Sequence, residues 1–155
     1  MKKAVCQSAS DGVTKAFARK LVTSLTSGGL LLLEGELGAG KTTFVQGMAE
    51  ALGVTQRVTS PTFTLLNVYE THHHLIRQLV HVDLYRLHGV AETTELDIPL
   101  WLSRLDALVV IEWPERAPEL WGNPLGSISF RLGETMSHRV LEVTGQIAAV
   151  FGATE

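Results

Sequence analysis

The sequence has little cysteine and no long apolar segment. Its one cysteine, Cys6, cannot form a disulfide within the chain, so nothing in the fold depends on an oxidising compartment. The N-terminal segment MKKAVCQSASDG contains two lysines but no apolar run of signal-peptide length, and no later stretch is long enough to span a bilayer. These absences predict a cytoplasmic protein that does not associate with a membrane.

Clustered positive charge is also missing. The net charge is −3 at neutral pH and no basic cluster occurs, which argues against a large nucleic-acid surface on this chain alone. The 155 residues suit one compact domain, and 45% apolar with 19% charged residues is ordinary for a globular protein. The composition therefore predicts a single folded domain over residues 1–155.

The first third of the chain shows two helical patterns around a short apolar run. The segment from Asp11 to Thr26 predicts an amphipathic helix with Ser10 as its N-cap and an apolar face at Val13, Phe17, Leu21 and Leu25. Residues 30–33 are four leucines, which is typical of a central strand buried on both faces. A second helix is predicted from Lys41 to Leu52, ending at Gly53.

The rest of the chain contains more strand patterns than helical ones. Residues 63–70 and 75–85 predict a hairpin or a pair of antiparallel strands around a polar THHH segment. Residues 92–104 predict a helix that Pro99 either kinks or divides in two. A buried strand is predicted over 107–111, and residues 126–132 and 138–145 predict a two-stranded ribbon.

A complete phosphate-binding motif lies between the leucine strand and the second helix. Residues 35–42, GELGAGKT, match the pattern G-x-x-x-x-G-K-[ST] at every position. Glycines at 38 and 40 allow successive backbone N–H groups to point inward, with the helix dipole behind them. Lys41 can reach the β- and γ-phosphates, Thr42 can bind Mg²⁺ and Thr43 can contact the α-phosphate. The motif predicts that residues from Gly38 through Ala39 and Gly40 to Thr43 hold ATP with magnesium.

Two acidic residues are candidates for the rest of the site. Glu112 directly follows the apolar run ALVVI, where P-loop proteins place a carboxylate that holds the magnesium shell or a water. Strand alternation puts His81, Asp83 and Tyr85 on one face, so Asp83 can point toward the phosphates. Periodicity alone leaves a plain surface strand as an equal alternative for Asp83.

Four segments in order resemble signatures of the TsaE family, bacterial ATPases required to make threonylcarbamoyladenosine in tRNA. They are GELGAGKTTF at 35–44, SPTFTL at 60–65, HVDLYRL at 81–87 and IEWPE at 111–115. Many families share the first segment, whereas the other three together are far more specific. The resemblance covers nearly the whole chain and implies an α/β fold, the three-layer P-loop NTPase architecture with a mixed, largely parallel central sheet and added antiparallel strands.

The resemblance also implies roles for particular residues. Thr42 and Glu112 would hold Mg²⁺, and Asp83 would act in the outer metal shell or orient the attacking water. Ser60 and Thr62 would belong to a switch segment that senses the γ-phosphate.

Two further positions follow from the resemblance alone. Trp113 would lie beside the nucleotide, although a plain packing role is an alternative for this side chain. Thr14 would lie near the nucleotide base.

The partners implied by the resemblance are two proteins, the transferase subunit TsaD and its inactive relative TsaB. They would transfer threonylcarbamoyl to tRNA, while this chain would contact tRNA only through their complex. Its own reaction would be a weak Mg²⁺-dependent ATPase activity, with Lys41, Asp83 and Glu112 as the catalytic residues. It would act as a nucleotide switch that resets the complex between turnovers.

Other readings of the motif remain. A small-molecule or nucleoside kinase shares the P-loop but needs an acceptor pocket and usually an arginine-bearing lid. A GTPase needs an N/T-K-x-D segment, which is absent. A subunit that binds ATP without hydrolysing it cannot be separated from a slow ATPase by sequence.

Two segments depart from the family pattern. Residues 95–101, ELDIPLW, replace an expected glycine and acidic-aromatic pair, so partner contacts are not assigned there. The segment containing His72, His73 and His74 is longer than expected, and it is predicted to be a polar turn because neighbouring side chains on an extended chain point to opposite faces.

Overall fold

The computed structural model describes residues 1–153 and contains a seven-stranded sheet with helices on both faces. The strands are β1 (Lys3–Ser8), β2 (Gly29–Gly35), β3 (Leu66–Glu70), β4 (Gln78–Asp83), β5 (Ala107–Glu112), β6 (Gly126–Leu132) and β7 (Arg139–Gly145). The α-helices are α1 (Asp11–Ser24), α2 (Lys41–Ala51), α3 (Ala91–Glu95) and α4 (Ile98–Leu102). Short 3₁₀ turns cover Pro114–Arg116, Pro118–Leu120 and Gln146–Phe151.

The sheet is parallel in its centre and antiparallel at both edges. Its strand order is β1-β7-β6-β2-β5-β4-β3. Strand β2 pairs in parallel with β5 and β6, and β5 pairs in parallel with β4. The pairs β3–β4, β6–β7 and β1–β7 are antiparallel. The predicted α/β fold with a mixed, largely parallel sheet is confirmed, and so are the predicted hairpin and the predicted ribbon.

The leucine run of β2 divides its side chains between the two faces of the sheet. Leu31 and Leu33 belong to a core that includes residues of α1 and α2. Leu30 and Leu32 belong to a second core on the other face, which includes Ile98 of α4. All four leucines are buried, because a parallel strand at the centre of a three-layer fold is covered on both sides.

Strand β1 was not predicted from the sequence. It is an edge strand that pairs with β7, and within it Ala4 and Ser8 are the buried residues. Its hydrophobic alternation is weak because the apolar Val5 is exposed while the polar Ser8 is buried. Strand β1 therefore forms by pairing with a strand that is distant in sequence, and its formation does not depend on a local hydrophobic pattern.

Helix α1 buries a face that is shifted from the predicted one and shares Leu21 with it. Ser10 caps it as expected, with its Oγ accepting from the Val13 N–H at 3.2 Å, but the helix ends at Ser24 and not at Thr26. Its buried residues are Thr14, Ala18, Leu21 and Val22, while Val13, Phe17 and Leu25 are only partly buried. A small side chain lies inward at Ala18 because α1 packs closely on α2 at Gly47, where an added Cβ would lie 2.9 Å from the Ala18 Cβ.

The close α1–α2 contact makes Gly47 a specific stability determinant. A Cβ at Gly47 would also meet the Lys15 Cα at 2.7 Å, so Gly47→Ala forces the helices apart. Overpacking costs about 1–3 kcal/mol, and the contact with a backbone atom puts this change toward the upper end, above a helix-propensity gain of up to about 1 kcal/mol. We expect urea denaturation to show a net loss of about 1–2 kcal/mol in the free energy of unfolding.

Gly12→Ala is the matched control for this prediction. Gly12 is also helical, but the nearest atom to its added Cβ is the Ser10 Oγ at 3.7 Å, so stability should be unchanged or slightly higher. A Gly47→Ala variant as stable as the Gly12→Ala variant would contradict the packing explanation.

The structure agrees with the predictions for the helical segment around Pro99 and for the turn that contains the three histidines. Pro99 divides residues 92–104 into α3 and α4 and lies in the first turn of the second helix. The three histidines lie in a turn, where His72 Nδ1 is 2.7 Å from the Gly53 carbonyl and His73 Nδ1 accepts from backbone N–H groups. Within residues 1–153, no group of three or more His, Cys, Asp or Glu residues is placed to hold a metal ion. None of the helices in the same range has the length and apolar character needed to cross a membrane.

Candidate functional site

The P-loop runs from the end of β2 to the start of α2. Gly38 has φ 75° and Gly40 has φ 108°, which are left-handed conformations that side-chain-bearing residues rarely adopt. Gly40 is the N-cap residue of α2 and offers no side-chain cap. The first N–H groups of α2 are therefore available for an anionic ligand, which the positive end of the helix dipole also favours.

A cleft of about 440 Å³ opens beside the P-loop. Ten of the predicted site residues line it, namely Gly38, Gly40, Lys41, Thr42, Thr43, Ser60, Thr62, Asp83, Glu112 and Trp113. Ala39 belongs to the core beneath the loop and is 1% exposed. Thr14 does not line the cleft, because its hydroxyl is buried against the Ser8 Oγ at 2.7 Å.

Lys41 lies inside the P-loop, with its ammonium bonded to the loop itself. Its Nζ donates to the Gly35 carbonyl and, at 2.9 Å, to the Glu36 carbonyl. The same Nζ lies 4.5 Å from the centre of the Trp113 ring. Burial lowers the pKa of Lys41, and the charges of Glu112 and Asp83 oppose this shift. A buried ammonium held by neutral carbonyls favours a charged acceptor such as a phosphate oxygen.

Glu112 ends β5 and is 3% exposed. Its Oε1 lies 3.3 Å from the Thr42 Oγ1 and 2.8 Å from the His81 Nε2. A carboxylate accepts hydrogen bonds, so His81 donates through Nε2, and its Nδ1 is buried without a hydrogen-bond partner in the described residues. These two contacts fix the orientation of a carboxylate that would otherwise be costly to bury.

The Thr42 and Glu112 oxygens fit a magnesium ion. Neighbouring ligands of an octahedral Mg²⁺ with bonds of about 2.1 Å lie about 3.0 Å apart, close to the 3.3 Å between these two oxygens. Magnesium commonly takes one or two protein oxygens and completes its shell with phosphate and water. The all-oxygen donor set therefore matches this ion better than zinc, whose protein sites are built mainly on His nitrogen and Cys sulfur.

Asp83 connects the SPTFTL segment to the sheet. Its Oδ2 accepts from the Ser60 Oγ at 3.0 Å and from the Thr62 Oγ1 at 3.2 Å. Its Oδ1 accepts from the Tyr85 N–H at 2.9 Å. Asp83 is the register partner of Glu112 in the parallel pair of β4 and β5. The two acids therefore lie side by side at the carboxyl ends of these two strands, facing the P-loop.

Trp113 follows Glu112 in an uncommon backbone conformation. Its φ of 59° is left-handed, a state that costs a bulky residue about 1–3 kcal/mol. Its N–H donates to the Leu33 carbonyl at 3.2 Å, and its ring lies 5.0 Å from that of Tyr85. The strained turn places the indole at the cleft, over Lys41, so the side chain is not simply part of the core.

Three polar residues near the site were not among the sequence-based candidates. His81 contacts Glu112, and strand alternation with Asp83 was the signal that could have identified it. Asp11 and Arg139 line the cleft. No local pattern identifies them, because their elements approach the P-loop only in the folded chain.

The fold and this cleft define a P-loop nucleotide-binding protein. The family model for "Threonylcarbamoyl adenosine biosynthesis protein TsaE" matches residues 8–141. The chain belongs to the TsaE family.

Individual relatives support this assignment. A TsaE protein from Nostoc sp., described as a tRNA threonylcarbamoyladenosine biosynthesis protein, is 45% identical over 98 residues, which are 61% of this chain and 58% of that protein. The chain thus spans less than two thirds of the Nostoc relative that it matches. The equivalent protein from Borreliella burgdorferi is 33% identical over 130 residues, which are 83% of this chain and 90% of that protein.

A solved structure gives the same result for the fold. The crystal structure of YdiB from Bacillus subtilis superposes with a TM-score of 0.72 at 29% sequence identity, covering 94% of this chain and 87% of that one. Together, these similarities favour the family over the kinase alternative that the P-loop alone left open.

Proposed function

We propose that this chain binds ATP with Mg²⁺, hydrolyses it slowly and acts as a nucleotide switch in the threonylcarbamoyladenosine modification of tRNA. Its partners would be the transferase subunit TsaD and its inactive relative TsaB, with tRNA contacted only through them. The chain would work as a single cytoplasmic P-loop domain over residues 1–155 and would not catalyse the transfer itself. Membership of the TsaE family and the printed names of its relatives support this proposal.

The observation that carries the proposal is the contact of Asp83 with both Ser60 and Thr62. These two hydroxyls belong to a segment outside the helices and strands, and they lie in the same cleft as the P-loop. An acid that both borders the phosphate site and holds a loop couples the occupancy of that site to the position of the loop. Such a loop is the moving part of a nucleotide switch.

Within the proposed site, each side chain has one task. Thr42 and Glu112 would hold Mg²⁺, which neutralises charge on the phosphates when bound. Lys41 would exchange its bonds to the loop carbonyls for bonds to the β- and γ-phosphates. The Gly38, Ala39, Gly40 and Thr43 backbone would wrap the phosphate chain.

The remaining assignments concern ATP hydrolysis and the response of the SPTFTL segment to it. Asp83 would orient the attacking water, and Ser60 and Thr62 would exchange their bonds to Asp83 for contacts near the γ-phosphate. Trp113 would cover the phosphate end of the cleft. Thr14, the remaining candidate, would act near the base only indirectly, through the start of α1 and its neighbour Asp11 at the cleft.

Reconstitution of tRNA modification with TsaD and TsaB tests the function. We expect repeated turnovers when this chain and ATP are both present, and about one turnover per complex when the chain is omitted. A Lys41→Ala variant should behave like the omission, since it cannot hold the nucleotide. Multiple turnovers that continue unchanged without this chain would refute the switch, even if ATP binding is measured.

A further inference from the structure

Arg139 lies against the P-loop although it comes from the other end of the chain. Its Nη2 donates to the Gly38 carbonyl at 3.2 Å across 101 residues of sequence. The sheet register explains this contact, because β6 pairs with β2 up to Gly35 and Leu132 of β6 is opposite Arg139. A Cβ added to Gly40 would lie 3.9 Å from the Arg139 Cγ and Nε. The side chain therefore runs along the loop that binds phosphate.

The positive charge of Arg139 is bonded to neutral carbonyl oxygens. Its Nη1 donates to the carbonyls of Met136 at 2.6 Å and His138 at 2.9 Å, and Nη2 donates to the Gly38 carbonyl. Within residues 1–153, the ion pairs of this hairpin use Arg131 with Glu142 and leave Arg139 without a carboxylate. A half-buried cation held by carbonyls is favourably placed for an anion.

The guanidinium also keeps donors for such an anion. It has five N–H groups, and the three carbonyl bonds use three of them. The two bonds from Nη1 to the hairpin fix the plane of the group. A fixed, planar and permanently charged fork is well suited to phosphate oxygens.

We propose that Arg139 is a second phosphate-binding cation of this site, which donates to a non-bridging oxygen of the ATP polyphosphate. The inference rests on the proposed ATP binding and adds a residue to it. Arg139 complements Lys41, because one cation comes from the start of β7 and the other from the start of α2. The nucleotide thereby contacts the β6–β7 hairpin as well as the P-loop.

Isothermal titration with ATP tests this role. We expect Arg139→Gln to weaken ATP binding about ten- to hundredfold, the effect of losing a charged hydrogen bond, and to keep the melting temperature close to that of the wild type. Arg139→Lys keeps the charge but lacks the planar guanidinium group. The affinity of this variant for ATP should lie between those of the wild type and Arg139→Gln. Arg131→Gln, on the same hairpin but outside the cleft, should bind ATP like the wild type.

Salt separates a phosphate contact from a purely structural role. The affinity gap between wild type and Arg139→Gln should narrow as ionic strength rises, since salt screens charge attraction in an open cleft. A gap that stays constant with salt would indicate that Arg139 only supports the loop and would overturn the inference. Equal ATP affinity of Arg139→Gln and wild type would overturn it as well. A wild type that binds no ATP would instead overturn the proposed function.

Discussion

Lys41→Ala is expected to lower the affinity for ATP by at least about a hundredfold. Charge-assisted hydrogen bonds contribute about 1.5–3 kcal/mol each, and the loss of two bonds to phosphate oxygens amounts to about 3 kcal/mol or more. Isothermal titration at fixed Mg²⁺ and low salt measures this change directly. The buried ammonium also bonds two loop carbonyls, so circular dichroism and thermal melting should accompany the titration.

Lys15→Ala is the matched control for Lys41→Ala. Lys15 is a helix residue whose ammonium pairs with Glu50 at 2.7 Å, away from the cleft. Its removal deletes the same charge from the chain without touching the P-loop, so ATP affinity should stay at the wild-type value. A folded Lys41→Ala variant that binds ATP as tightly as Lys15→Ala would refute the phosphate role of Lys41.

Glu112→Gln is expected to reduce single-turnover phosphate release by about a hundredfold or more. The change keeps the shape of the side chain and an oxygen for His81, but it removes the charge that would hold the metal. Metal ions contribute several kcal/mol to the stabilisation of phosphoryl transfer, and about 1.4 kcal/mol corresponds to a tenfold change in rate. The gain in ATP affinity on adding Mg²⁺ should also shrink, which titration with and without EDTA measures.

The control for Glu112→Gln is Glu115→Gln. Glu115 is an exposed acid in the 3₁₀ turn that follows Glu112, and it does not line the cleft. Its replacement should leave both phosphate release and the effect of Mg²⁺ close to wild type. Undiminished release by a folded Glu112→Gln variant would show that the metal assignment is wrong.

Elements with a strong local pattern were predicted well from the sequence. Helix α2 and strand β2 lie where the glycine loop and the leucine run place them, because their periodicity and glycine boundaries are local properties. Strand β1 was missed because it is held by pairing with β7, which lies near the other end of the sequence. The predicted face of α1 was only partly right for a similar reason, since the close contact of Ala18 with Gly47 on α2 helps to set which face turns inward.

The same difference between local patterns and contacts of distant segments applies to the candidate site. The P-loop residues were identified from spacing alone, because that motif is continuous in sequence. Asp83 remained ambiguous by periodicity, and only its hydrogen bonds to Ser60 and Thr62 show that it faces the cleft. Thr14, assigned by resemblance, does not line the cleft, and its hydroxyl contacts the Ser8 Oγ.

The sequence by itself determined the phosphate loop and the family, because each depends on short segments whose residue order carries the information. The tertiary structure decided which side chains meet. Glu112 lies beside Thr42 through the pairing of β2 with β5, and Arg139 reaches Gly38 through the pairing of β2 with β6 and of β6 with β7. Sheet register sets such contacts, and it arises from the packing of the whole chain and not from any one segment.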